Sequence, residues 1–406
     1  MLKLKLLMNF NFFKNYSLQL SIVFLSVIIT LLINFFLAKY LSILEFSLFS
    51  QAMALGSIML IVFDFGFKSL IFRENIKKET QINFLSIATY YSFIIFLFIL
   101  IMSFFVDTLL NIQIILLCFF ILNLIFFKSY KYKAEGNFFL DLKINYTLRI
   151  LGFIFLMIQI FYFKFYDSRN YFNFWLISLI ICCIFFYYKD LTIRKKKIDQ
   201  KIIKTVLTFF FIDLLIVIYF KSDILLLTYF EVDPIYISNY NIAHKVFEFP
   251  MAFFAPLCFL FYRDSRIFFN KHKFVSKNYN IIFLILISGI LYFLVTFFFY
   301  DNVIIYLFDQ KFIQSIIMVK YMSVTITFMF LNCYLILILY SINMEKMVLK
   351  CVFFISVLNV LFNIIFIQYL GYIAVIYSFI FTEFFLSIIL IFKYFKITNK
   401  LYENRI

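Results

Sequence analysis

Apolar residues along this chain come in long unbroken runs rather than in alternation with polar ones. Twelve runs stand out, at 16–40, 44–67, 82–106, 109–128, 142–164, 171–188, 204–230, 234–262, 279–300, 312–340, 347–368 and 371–392. A bilayer core takes ~20 consecutive apolar residues to cross. With almost no water there, the backbone must satisfy its own hydrogen bonds within helices or a closed barrel. The runs are too long and too uniformly apolar for the alternating strands of a barrel. The pattern predicts an all-α polytopic membrane protein of about twelve transmembrane helices, with connections too short to hold a soluble domain. The first run is too long for a cleaved signal peptide and lacks a small-residue cleavage site, so it is expected to stay as a signal anchor.

Charged residues make up only 14% of the chain, so each one carries information. Lys and Arg crowd alternate connections. Examples are Lys68, Arg73, Lys77 and Lys78, then Lys128, Lys131, Lys133 and Lys143, then Lys189 and Arg194 to Lys204. The opposite connections hold only Lys39, Lys164, Arg169 and Lys311. By the positive-inside rule both termini face the cytoplasm. An even number of crossings agrees, and the net charge of +16 then needs no nucleic-acid partner. The RKKK run at 194–197 fits a lipid-headgroup or nucleic-acid patch. It fits better as a topology anchor between the sixth and seventh helices.

That lysine-rich connection divides the chain into two six-helix lobes, 1–195 and 196–406. Six is even, so both lobes enter from the same side, and a twofold relating them runs along the membrane normal. FSLFSQAMAL at 46–55 and ISNYNIAHKV at 237–246 give a faint echo of this repeat. Ser47, Phe49 and Ala52 fall opposite Ser238, Tyr240 and Ala243, and Ala54 falls where the second lobe has Lys245.

Apart from the basic residues counted with the connections, four remain inside runs: Arg149, Lys221, Lys245 and Lys320. At ~1.5 Å per residue, Lys245 lies near the midplane, while Lys221 is near an outer end from which it can snorkel to water. Acids at Asp64, Asp213, Asp223, Glu248 and Glu383 are available for charge pairing or for carrying a coupling ion. A charge at the bilayer centre costs ~2.5–3.5 kcal/mol even on the lenient insertion scale, so several of them imply a wet, protein-lined interior. Lys245 and Glu248 share a helix face at i, i+3. They form either a structural bridge or part of a cavity wall that offers Lys245 to an anionic substrate. Lys221 and Asp223 do not face each other and need partners elsewhere. His244 points differently from Lys245 and reads as a packing residue. Asp213 and Glu383 lie deep and are the better coupling candidates.

Other signals exclude more than they propose. The six cysteines all lie within runs, with neither metal-like spacing nor a disulfide framework. DFG at 64–66 ends a membrane helix without a catalytic-loop motif. Without a P-loop the chain itself hydrolyses no ATP. No cofactor is called for, and nothing marks an enzyme. Trp175 fits an interfacial anchor. Pro250 and Pro256 should bend the eighth helix close to Lys245.

Four stretches, AKYLSILEFSLFSQA, FDFGFKSLIFREN, SDILLLTYF and ISNYNIAHKVFEFP, resemble Wzx-type polysaccharide flippases of the multidrug/oligosaccharidyl-lipid/polysaccharide (MOP) exporter superfamily. The resemblance covers helices 1–2 and 7–8; elsewhere it rests on helix count and topology. The chain departs from the family at Ser47, Thr228 and Ser238, where glycine is usual. Lys245 matches a basic position of the family's eighth helix and Asp223 the acid of its seventh. Arg149 and Lys320 have no motif of their own. The resemblance implies two lobes around a cavity that opens alternately to each side of a bacterial inner membrane. The implied substrate is an oligosaccharide on undecaprenyl diphosphate, with membrane lipids, a polysaccharide polymerase and a chain-length regulator as partners. A small-molecule exporter of the same superfamily is the alternative, although residues 16–40 lack the acid that such exporters use for coupling. A membrane-embedded polymerase or ligase would need a long outward loop, and the outward connections are short.

Overall fold

The computed structural model describes residues 10–75, 84–105, 112–187, 200–269, 278–307 and 312–403. Every regular element among them is helical. In chain order these are α1 (Phe10–Tyr40), α2 (Ile43–Asp64), α3 (Phe67–Asn75), α4 (Phe84–Ser103), α5 (Ile112–Glu135), α6 (Phe138–Met157), α7 (Ser168–Tyr187) and α8 (Gln200–Tyr229). The chain continues with α9 (Pro234–Phe269), α10 (Asn278–Leu307), α11 (Gln314–Ser323), α12 (Thr325–Ser341), α13 (Glu345–Leu370) and α14 (Tyr372–Glu403). A single π-helical turn, Ile158–Tyr162, extends α6. Among the described residues nine helices are long and apolar enough to cross a membrane, and the bent pair α11–α12 makes a tenth. α1 and α9 occupy the first and eighth runs. The protein is an all-α, multi-pass membrane protein. The RKKK run and the 195/196 lobe boundary lie outside the described residues.

Two runs are broken, each for a local reason. The second ends at Asp64, where Phe65 (φ 50°) and Gly66 (φ 79°) turn the chain into the short α3. Asp64 Oδ1 accepts the Lys68 N–H at 2.9 Å and so caps α3. A Cβ on Gly66 would lie 2.4 Å from the Val206 carbonyl oxygen and 2.6 Å from the Phe210 nitrogen. The turn is therefore pressed against the backbone of α8, and glycine is required there on both grounds. The tenth run bends by 49° between α11 and α12. Ser323 Oγ bonds the Lys320 carbonyl (2.8 Å) and Thr325 Oγ1 the Met322 carbonyl (2.6 Å), side-chain competition of the kind that bends helices. α9, by contrast, runs unbroken from Pro234 to Phe269 through Pro250.

Packing repeats between the halves. In the first, α1 packs on α6, α2 on α5, α5 on α7 and α6 on α7. In the second, α8 packs on α13, α9 on α12, α12 on α14 and α13 on α14. In order of crossing these are the same pairs displaced by six. The contacts between halves follow the same exchange, α1 with α9 and α2 with α8, while α2 also meets α9 directly. Ser47, Phe49 and Ala52 are buried, as are Ser238, Tyr240 and Ala243 opposite them.

The halves are joined at both ends of the bundle. At the end away from α3, Asn241 Nδ2 donates to Ser50 Oγ (2.7 Å) and Ser238 Oγ to the Ile43 carbonyl (3.2 Å). At the lysine-rich end, Arg73 of α3 pairs with Glu345 of α13 at 2.7 Å, and the Phe65 and Phe210 rings stack 4.7 Å apart. A cavity lies between these two closures.

Candidate functional site

α8 and α9 are antiparallel neighbours, which brings the upper part of one against the first half of the other. Glu248 of α9 consequently receives three donors. Lys221 Nζ of α8 lies 2.7 Å from its Oε1, Lys245 Nζ lies 2.8 Å from its Oε2, and His244 Nδ1 lies 3.2 Å from Oε1. Arg149 of α6, in the other half, is within electrostatic reach of Tyr171 and of Glu248. Three predicted site residues, Lys221, Lys245 and Glu248, thus meet in one hydrogen-bonded cluster, with Arg149 within electrostatic reach of its carboxylate. Lys221 does not snorkel outward, because an acid within reach offers a charge-assisted hydrogen bond in a low-dielectric setting. His244 is packed among Phe220, Tyr240 and Phe379, although it does not point away from Lys245 as the sequence suggested, since both reach one carboxylate. It also touches Glu248, four residues along on the same helix face.

Below the cluster, toward α3, is a cavity of about 350 Å³. Its wall is mostly apolar and aromatic, and it carries the acids Asp64, Asp213 and Glu383 together with Lys68. Phe220 and Met251 line its upper part, and Phe220 also meets the His244 ring edge-on, so cavity and cluster share a wall. Asp213 accepts from Ser69 Oγ across the halves at 3.4 Å. Glu383 is buried and held by neutral donors, Tyr219 Oη at 3.0 Å and Asn332 Nδ2 at 2.7 Å.

The remaining predicted residues lie elsewhere. Asp223, fully buried, accepts from Tyr240 Oη (2.5 Å) and Asn363 Nδ2 (2.7 Å), and Asn363 continues to Asn359. This network belongs to the second half alone. Lys320 pairs with Asp301 of α10 at 2.7 Å and stands over the Phe297 ring, and it does not join the Glu248 cluster. Tyr219, Asn332 and Asn363 were not singled out from sequence, and Tyr240 only as a position of the repeat, because the search followed charges. Asn359 and Asn363, at i, i+4 within an otherwise apolar run, were the available signal. Among the described residues no group of three or more His, Cys, Asp or Glu is arranged to hold a metal ion.

No protein-family model matches the sequence, and no curated protein matches it. Solved structures do match the fold. A multidrug resistance MATE family transporter of the MOP superfamily, in an outward-facing conformation, superposes with a TM-score of 0.72 at 14% identity, covering 96% of both chains. A MOP superfamily transporter from Pyrococcus furiosus, described as having a binding pocket of reverse polarity, gives 0.69 at 11% identity, again with 96% of both chains. A MATE protein in complex with MaD5 gives 0.70 at 14% identity, covering 96% of this chain and 95% of that one. The helix order, the repeated packing and these superpositions agree that the chain has the fold of MATE transporters of the MOP superfamily.

Proposed function

We propose that this protein is a transporter that moves an anionic, lipid-linked glycan across the membrane by alternating access, as Wzx-type flippases do. The observation that carries this reading is the pair of Lys221 and Lys245 on one carboxylate, with Arg149 of the other half within electrostatic reach of it. Two lysines on one carboxylate leave that end of the cavity locally positive, which suits the diphosphate of an undecaprenyl-diphosphate-linked oligosaccharide. The lipid tail of such a substrate can remain in the bilayer. In this reading the lysine-rich end faces the cytoplasm of a bacterial inner membrane. Asp223, Asp213 and Glu383 are desolvated acids able to take a coupling proton or sodium ion, and Lys320 contributes outside the central cluster. A polysaccharide polymerase and a chain-length regulator would act on the exported product.

Glycan export in a strain lacking its own flippase tests the reading. Lys245→Ala should lower export by about ten- to a hundredfold, matching ~1.5–3 kcal/mol for a hydrogen bond to a charged group. Lys245→Arg should keep part of the activity. Full recovery in the triple change Lys221→Ala, Lys245→Ala and Glu248→Ala would reduce the cluster to a structural bridge, since neither lysine is then left buried without its acid.

A second reading, export of small organic cations, is favoured by the acids lining the cavity and by the multidrug transporter among the fold neighbours. It requires that the protein confer resistance to cationic drugs, and that Asp213→Asn abolish that resistance while Lys245→Ala spares it.

A further inference from the structure

Glu248 is more open than the three residues bonded to it. Its side chain is 40% exposed, against 20% for Lys245, 16% for Lys221 and 2% for His244. A carboxylate whose only task was to neutralise two lysines in the protein interior would be covered as well as they are. Instead it stands between the lysines and the open space, and each of its oxygens is bonded to a different lysine. A phosphate presents the same feature, a pair of anionic oxygens at nearly the spacing of a carboxylate's.

We propose that Glu248 is an internal stand-in for the phosphate of the substrate. With the site empty it holds Lys221 and Lys245 charged and in position. An incoming diphosphate must displace it to reach them. The displaced carboxylate is not stranded, because His244 sits one turn away on the same helix and Arg149 is within electrostatic reach. The arrangement lowers affinity but promotes release. Two buried lysines with no acid would hold a diphosphate strongly, whereas a tethered acid at high effective concentration competes it off. This inference rests on the anionic-substrate reading above and names the device that keeps such a site from being a trap.

The test is binding of farnesyl diphosphate, a short polyprenyl diphosphate, to the full-length protein in nanodiscs by titration calorimetry. Glu248→Gln should bind about tenfold more tightly than the wild type, roughly one charge-assisted contact. Glu248→Asp keeps the charge on an arm too short to span both lysines, and should fall between the two. It also serves if the glutamine variant does not fold. Lys221→Ala and Lys245→Ala should each bind about tenfold more weakly. If the lysine variants lose affinity while both Glu248 variants bind as the wild type or more weakly, the stand-in role is overturned and the anionic site survives. If the lysine variants bind as the wild type, or no form binds the diphosphate, the anionic reading fails and takes this inference with it.

Discussion

Asp223 shows how much a single side chain can hide from sequence. Its spacing from Lys221, two residues away, said only that the two need separate partners, and Lys221 turns to Glu248. Among the described residues Asp223 is held by neutral donors, Tyr240 and Asn363. Replacing it by Ala leaves both donors unpartnered, at ~1–3 kcal/mol each, and should lower the unfolding temperature in detergent clearly more than Asp223→Asn does. The asparagine variant preserves the shape and removes the titrating group. If Asp223 carries the coupling ion, transport by Asp223→Asn should lose its dependence on the proton or sodium gradient; an unchanged dependence would move that role to another acid. The positions of the buried charges were legible because a charge in a run of Ile and Phe stands out. Their partners were not, because a contact such as Lys221 with Glu248 depends on how α8 and α9 pack.

At the level of the helix, most run ends were legible to within a few residues, but α1, α5, α9, α10 and α14 continue past their runs, α14 furthest, because hydropathy marks what enters a bilayer and not where a helix stops. Breaks were less so. Pro250 and Pro256 were expected to bend the eighth run; α9 stays one continuous helix through both, and the break with a 49° bend falls at Ser323–Thr325, where hydroxyls compete for the carbonyls of the preceding turn. Helix contacts of close approach were also silent in the sequence. A Cβ on Gly289 of α10 would lie 2.6 Å from Thr327 Cα and 2.8 Å from Thr327 Oγ1 on α12. Helix propensity favours Gly289→Ala by ~1 kcal/mol, while forcing atoms into a packed contact costs ~1–3 kcal/mol. The nearest obstacle is backbone, which yields less readily than the end of a flexible side chain. The packing cost should win, and Gly289→Ala should melt at a lower temperature than the wild type.

Across the whole molecule, the division into two similar halves could be read from an even number of crossings and the Ser47–Ala52 echo, but the pairing of helices could not. The echo is faint because what is duplicated is burial and packing, which many apolar residues satisfy. Charge was free to diverge, so that Ala54 sits where the second half has Lys245. Most contacts between the halves are made by side chains, and one side chain can be traded for another of similar bulk. Gly66 offers nothing to trade. Its positive φ excludes most residues, and the backbone of α8 excludes any Cβ. A saturation scan scored for export should therefore find one of its least tolerant positions at a residue with no side chain and no chemistry. Gly66→Ala, the mildest change available, should already abolish export even with every charged residue of the site intact. Loss of function there would report the spacing between the halves, a different failure from the loss of a charge.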